Sequence, residues 1–119
     1  MIDKVSYSPS FGINVSAHLI DTAHNHYNYN QLVNKKQSIY KFDKKAQEYS
    51  NYGYDDYTLD YRKKLEQGNW QHYLVAFKDG EENKAKVVIK RNTLLRLINK
   101  FFEINKGELR QKITSGKNY

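Results

Sequence analysis

A chain of 119 residues with a formal net charge of +7, no cysteine and one proline fits a single domain with a modest core. The missing cysteines exclude a disulfide framework, an Fe–S cluster and a thiolate zinc site. No stretch is apolar for long enough to span a membrane, and Met1-Ile2-Asp3-Lys4 opens no apolar run of signal-peptide length, so a cytoplasmic protein is expected.

In chain order, Ile2 to Ser8 reads as a short strand, joined through Ser8-Pro9-Ser10 to a second. Phe11, Ile13, Val15, Ala17 and Leu19 alternate with polar residues, which predicts that second strand over Phe11–Leu19. Asp21 to Asn30 has no apolar period and reads as a polar loop. Leu32, Ile39, Phe42, Ala46 and Tyr49 then predict a helix, with a short strand over Ser38 to Phe42 as the alternative. Asp55 and Asp56 are placed to cap another, running to Gln67 with Gly68 as its stop. Trp70–Lys78 and Lys84–Arg91 are strand-like runs around Asp79-Gly80-Glu81-Glu82-Asn83, a connection of hairpin length. Asn92 or Thr93 can cap a helix whose apolar face is Leu94, Leu95, Ile98, Phe101 and Phe102, with Gly107 at its close. The sum is an α+β domain over residues 1–107, with a small antiparallel sheet of three to four strands, two to three helices on it, and a basic tail over 108–119 that frays.

Charge is unevenly distributed. Residues 1–83 hold 10 Lys/Arg and 11 Asp/Glu, a net of −1; residues 84–119 hold 10 and 2, a net of +8. A one-sided basic surface attracts polyanions by steering and by counterion release. Lys86, Lys90, Arg91, Arg96 and Lys100 are its candidate contacts. A second unusual feature is the crowding of eight of the eleven tyrosines between residues 27 and 61. Within it, Tyr52, Tyr54, Asp55, Asp56, Tyr57 and Asp60 combine rigid aromatic area with carboxylates, a mixture suited to a basic protein groove.

His24 and His26 form the one close imidazole pair, able to share a metal with Asp21, His18 or His72, or to act as acid and base in RNA cleavage. No zinc-ligand spacing, Walker A, Rossmann glycine pattern, GxSxG or HExxH is present, and no metal or cofactor is expected.

Two stretches, Gly12-Ile-Asn-Val-Ser-Ala-His18 and Lys84 to Ile98, resemble small phage- and plasmid-borne inhibitors of host defence, in particular the Cas9-directed anti-CRISPR proteins. The resemblance carries over no functional residue. It implies a non-enzymatic, stoichiometric binder whose partner is a host nuclease or its guide-RNA complex. That is the leading expectation. A basic DNA- or RNA-binding accessory protein is the alternative, and a small ribonuclease using His24 and His26 the third.

Overall fold

The computed structural model describes residues 13–30, 34–49 and 56–119. The expected strand over Ile2–Ser8, the turn at Pro9, and the contacts Tyr52, Tyr54 and Asp55 lie outside the described residues. Within them the chain is α+β: strand β1 (Asn14–Val15), helices α1 (Ala17–Tyr29) and α2 (Lys35–Glu48), strands β2 (Tyr57–Glu66), β3 (Asn69–Lys78) and β4 (Lys86–Arg91), then helices α3 (Leu94–Glu103) and α4 (Lys106–Ser115). The sheet order is β1-β2-β3-β4. It is mixed, where an antiparallel one was expected: β1 runs parallel to β2, and β2–β3 and β3–β4 are antiparallel. A parallel pair needs a long crossover, which α1 and α2 supply.

Two predicted elements have the wrong type. The strand expected through Leu19 stops at Val15, because Ser16 caps a helix by accepting a hydrogen bond from the Leu19 amide at 3.0 Å. From there Leu19, Ala23 and Tyr27 are buried at a spacing of four, so the expected loop Asp21–Asn30 is the body of α1. The helix expected over Asp55–Gln67 is strand β2. Leu59 and Tyr61 on one face are buried, while Asp60, Arg62 and Lys64 alternate with them. Gly68 is no helix stop: Gln67 and Gly68, with φ of 52° and 81°, form the two-residue turn joining Glu66 to Asn69.

The C-terminal prediction agrees as far as α3. Thr93 caps it by accepting from the Arg96 amide at 3.2 Å, and Leu97, Ile98 and Phe101 face inward, while Leu95 is exposed. Gly107 does not close that helix. The chain breaks at the buried Ile104, and Asn105 caps α4 by accepting from the Glu108 amide at 2.8 Å. The segment expected to fray is therefore helical, anchored by Leu109 and Ile113.

The main core lies between the helices and one sheet face. Phe42 of α2 stacks on Phe101 of α3 at 4.6 Å, and the buried Tyr49 donates its hydroxyl hydrogen to the Phe101 carbonyl at 2.9 Å. On the other face Tyr73, Val75, Phe77 and Ala85 form a smaller cluster beneath Val87 and Tyr119. No helix among the described residues is long and apolar enough to cross a membrane.

Candidate nucleic-acid interface

The outer edge of β4 is bounded by α4 and by the chain after it. The Val87 amide donates to the Lys117 carbonyl at 2.7 Å, and the Tyr119 amide to the Ala85 carbonyl at 2.9 Å, so residues 117–119 run beside β4 as an added edge. Gly116 makes that approach possible. A Cβ there would collide with the carbonyl oxygens of Lys112 and Val87.

These elements enclose a groove of about 660 Å³. It is lined by the cations Lys64, Lys90, Arg91, Lys100, Lys112 and Lys117, with Glu108 the one acidic side chain among the described residues of its wall. Lys90 Nζ donates to Glu66 Oε1 at 2.8 Å, and Lys100 lies 3.4 Å from Glu108. Tyr73 also donates to Glu66. The Lys90 and Tyr73 hydrogen bonds hold the Glu66 carboxyl below the usual carboxylate range, and the bond to Glu66 raises the Lys90 ammonium. Burial, then the Glu66 bond, pushes the Tyr73 phenol up.

The remaining cations have no carboxylate partner within 4 Å among the described residues. Lys64 stands 4.0 Å from the Tyr119 ring centroid, and Arg91 Nη1 donates to the Lys90 carbonyl at 2.8 Å. Lys112 and Lys117 also line the groove. Cations without a carboxylate partner leave the groove with a net positive charge, which attracts anions.

The structure thus brings Lys90, Arg91 and Lys100 together and leaves two other predicted contacts aside. Lys86 lines an adjoining depression of about 420 Å³, and Arg96 is exposed on α3 outside the groove. Of the acidic-aromatic candidates, Asp56 is exposed at a φ of 66°. Tyr57 packs against the core, and Asp60 accepts from the Ser16 hydroxyl at 2.6 Å with Arg62 3.9 Å away.

His24 and His26 have different partners. On a helix two positions turn by about 200°, so the rings diverge. His24 Nε2 pairs with Asp43 at 2.7 Å, and His26 lies 3.2 Å from the Asn30 amide with its pKa lowered by burial. No cluster of three or more metal-ligating side chains occurs among the described residues.

Lys64, Lys112 and Lys117 were missed by the sequence reading. The signal for Lys112 was the i, i+4 pair Leu109 and Ile113; the signal for Lys64 was the alternation of β2. Compared with known proteins, the chain matches no family model, no curated protein and no solved structure.

Proposed function

We propose that the chain binds a single-stranded nucleic acid through its phosphodiester backbone, in the groove along β4. The observation that carries this is the convergence of six cations from β2, β4, α3, α4 and the final segment, two of them neutralised by carboxylates. The half-buried Tyr119 ring lies in the same wall with Lys64 4.0 Å and Arg62 5.3 Å from its centroid, the mixture of aromatic and cationic groups that single strands bind.

Fluorescence anisotropy with a labelled single-stranded RNA of mixed sequence tests it. Affinity should fall steeply between about 50 and 200 mM salt, because each neutralised phosphate releases counterions. Lys112→Glu with Lys117→Glu should weaken binding and lower the salt slope by about two. Binding unaffected by either salt or these charges would overturn the proposal.

A second reading, inhibition of a nucleic-acid-handling host nuclease, draws support from the other end of the sheet. Asp56, Asp79, Glu81 and Glu82 are exposed where β2 begins and β3 ends, an acidic patch suited to a basic protein channel. Co-elution with candidate nucleases, with and without guide RNA, checks it. Charge reversal at Asp56 and Glu81 should abolish any complex.

A further inference from the structure

A second polar cluster lies on the helix-facing side of the sheet, beyond the residues that the helices cover. Along β2 that face runs Leu59, Tyr61, Lys63, Leu65; the first two are buried and Lys63 and Leu65 are exposed. Opposite them on β3 stand Leu74, His72 and Trp70, in register with Tyr61, Lys63 and Leu65. The Tyr61 hydroxyl and His72 Nδ1 are 2.6 Å apart, and the two rings are stacked with centroids at 5.9 Å. From the first turn of α1, His18 brings a second imidazole to 5.8 Å from the same phenol ring. Lys63 Nζ is 4.8 Å from the centroid of Trp70, whose side chain is half exposed.

We propose that His18 and His72 are the acid–base pair of an RNA-cleaving centre, with Lys63 as its phosphate-holding cation and Trp70 as a platform for a base. The inference rests on the nucleic-acid reading of the groove. Arg91, in register with His72 and lining the groove, joins the two regions.

The chemistry is that of attack by the neighbouring ribose hydroxyl. Burial, then the Lys63 charge, lowers the pKa of His72, so the imidazole is neutral near pH 7 and fitted to accept a proton. In the tautomer this role requires, Nδ1–H donates to the Tyr61 oxygen and Nε2 presents its lone pair. Tyr61 is thus a positioning residue that sets the tautomer. Burial keeps its own phenol protonated by raising its pKa. Nε2 of His72 takes the 2′-hydroxyl proton as the 2′-oxygen bonds to phosphorus. The bond from phosphorus to the 5′-oxygen breaks, and His18, as the general acid, gives that oxygen its proton. The products are a 2′,3′-cyclic phosphate and a 5′-hydroxyl, with one proton gained by His72 and one lost by His18. Lys63 offsets the charge that gathers on the non-bridging oxygens. Histidines distant in sequence but sharing one tyrosine are a better acid–base pair than adjacent ones that diverge.

The experiment incubates the full chain, in EDTA, with a 5′-labelled mixed-sequence RNA and with the same sequence as DNA and as 2′-O-methyl RNA. RNA alone should be cut, leaving cyclic phosphate ends. His18→Ala, exposed and safe for the fold, and His72→Asn should each slow cleavage by about 100-fold or more. Anisotropy with the 2′-O-methyl RNA should be unchanged for both. Tyr61→Phe should lower the turnover number without raising KM. RNA left intact while 2′-O-methyl RNA binds would overturn the cleavage centre and leave the groove standing. RNA left intact with no binding would overturn both. Cleavage that survives His18→Ala and His72→Asn would also remove the assignment.

Discussion

The outer edge of β4 and the corner around Tyr61 hold their polar groups by different means. At the β4 edge the frame is backbone. Residues 117–119 are hydrogen-bonded to Ala85 and Val87, α4 is capped by Asn105, and of the lysines on that frame Lys90 and Lys100 are tied to Glu66 and Glu108 while Lys112 and Lys117 have no carboxylate within 4 Å among the described residues. At the corner the side chains fix each other: Tyr61 binds His72, and His18 lies against Tyr61. A backbone frame suits recognition of a diffuse charge, where any one lysine adds a similar, salt-screened increment. Interlocked side chains suit chemistry, where a shift of an ångström in one group costs far more than the loss of a contact.

The largest perturbation should abolish both regions together. Phe101 stacks on Phe42, and its carbonyl accepts from Tyr49, so it joins α2 to α3 beneath the sheet. Phe101→Ala should cost about 3–5 kcal/mol, the range for a buried aromatic cut to alanine. Chemical denaturation would measure it. A loss near 1 kcal/mol would mean that the region tolerates a cavity and that the two sites do not share one core.

How legible the two regions were in the sequence follows the same division. Lys90, Arg91 and Lys100 could be chosen from the charge step after residue 84, because the hairpin and α3 have clean periods and a Thr93 cap. The corner was hidden. Val15, Ala17 and Leu19 alternate like a strand, yet Leu19, Ala23 and Tyr27 also satisfy helical spacing, and the Ser16 cap decides between them. For β2 the period of two was present in Tyr57, Leu59 and Tyr61. Asp55 and Asp56 resembled a helix start, and Asp56 is instead a turn residue at positive φ. His18 and His72 meet the same phenol ring only because Ala17 starts a helix and Tyr57 a strand. Only the β1–β2 pairing and the β2–β3 register bring them to one phenol.

A smaller effect should separate the regions. Gly116→Ala places a methyl against the Lys112 and Val87 carbonyl oxygens, and overpacking of this kind costs about 1–3 kcal/mol. Residues 117–119 should swing off β4, removing Lys117 and Tyr119 from the groove. RNA affinity should drop at least about fivefold, while His72 and Tyr61, held by β2 and β3, keep their bond. A histidine NMR titration and an anisotropy series on the same variant would show it. Equal disturbance of the His72 resonance and of RNA binding would mean that the two regions are one unit.

The smallest effect concerns Glu66, the carboxylate that Lys90 and Tyr73 hold on the sheet face beside the groove. Its pKa in the folded chain is below the value it has when unfolded, chiefly through the Lys90 hydrogen bond and next the Tyr73 one. The unfolded state therefore binds the proton more readily, and the contribution to stability is fully present above the unfolded pKa of 4.5. It is lost as pH falls through the depressed folded value. Glu66→Gln removes that contribution, so the melting temperatures of variant and parent should differ slightly at pH 7 and converge as pH falls below about 4.5. Because the pair is solvent-exposed, added salt should shrink the difference at pH 7. The same substitution frees Lys90 inside the groove, so RNA affinity at low salt should rise while stability falls. Weaker RNA binding by Glu66→Gln would show that this carboxylate positions Lys90 for the ligand rather than masking it.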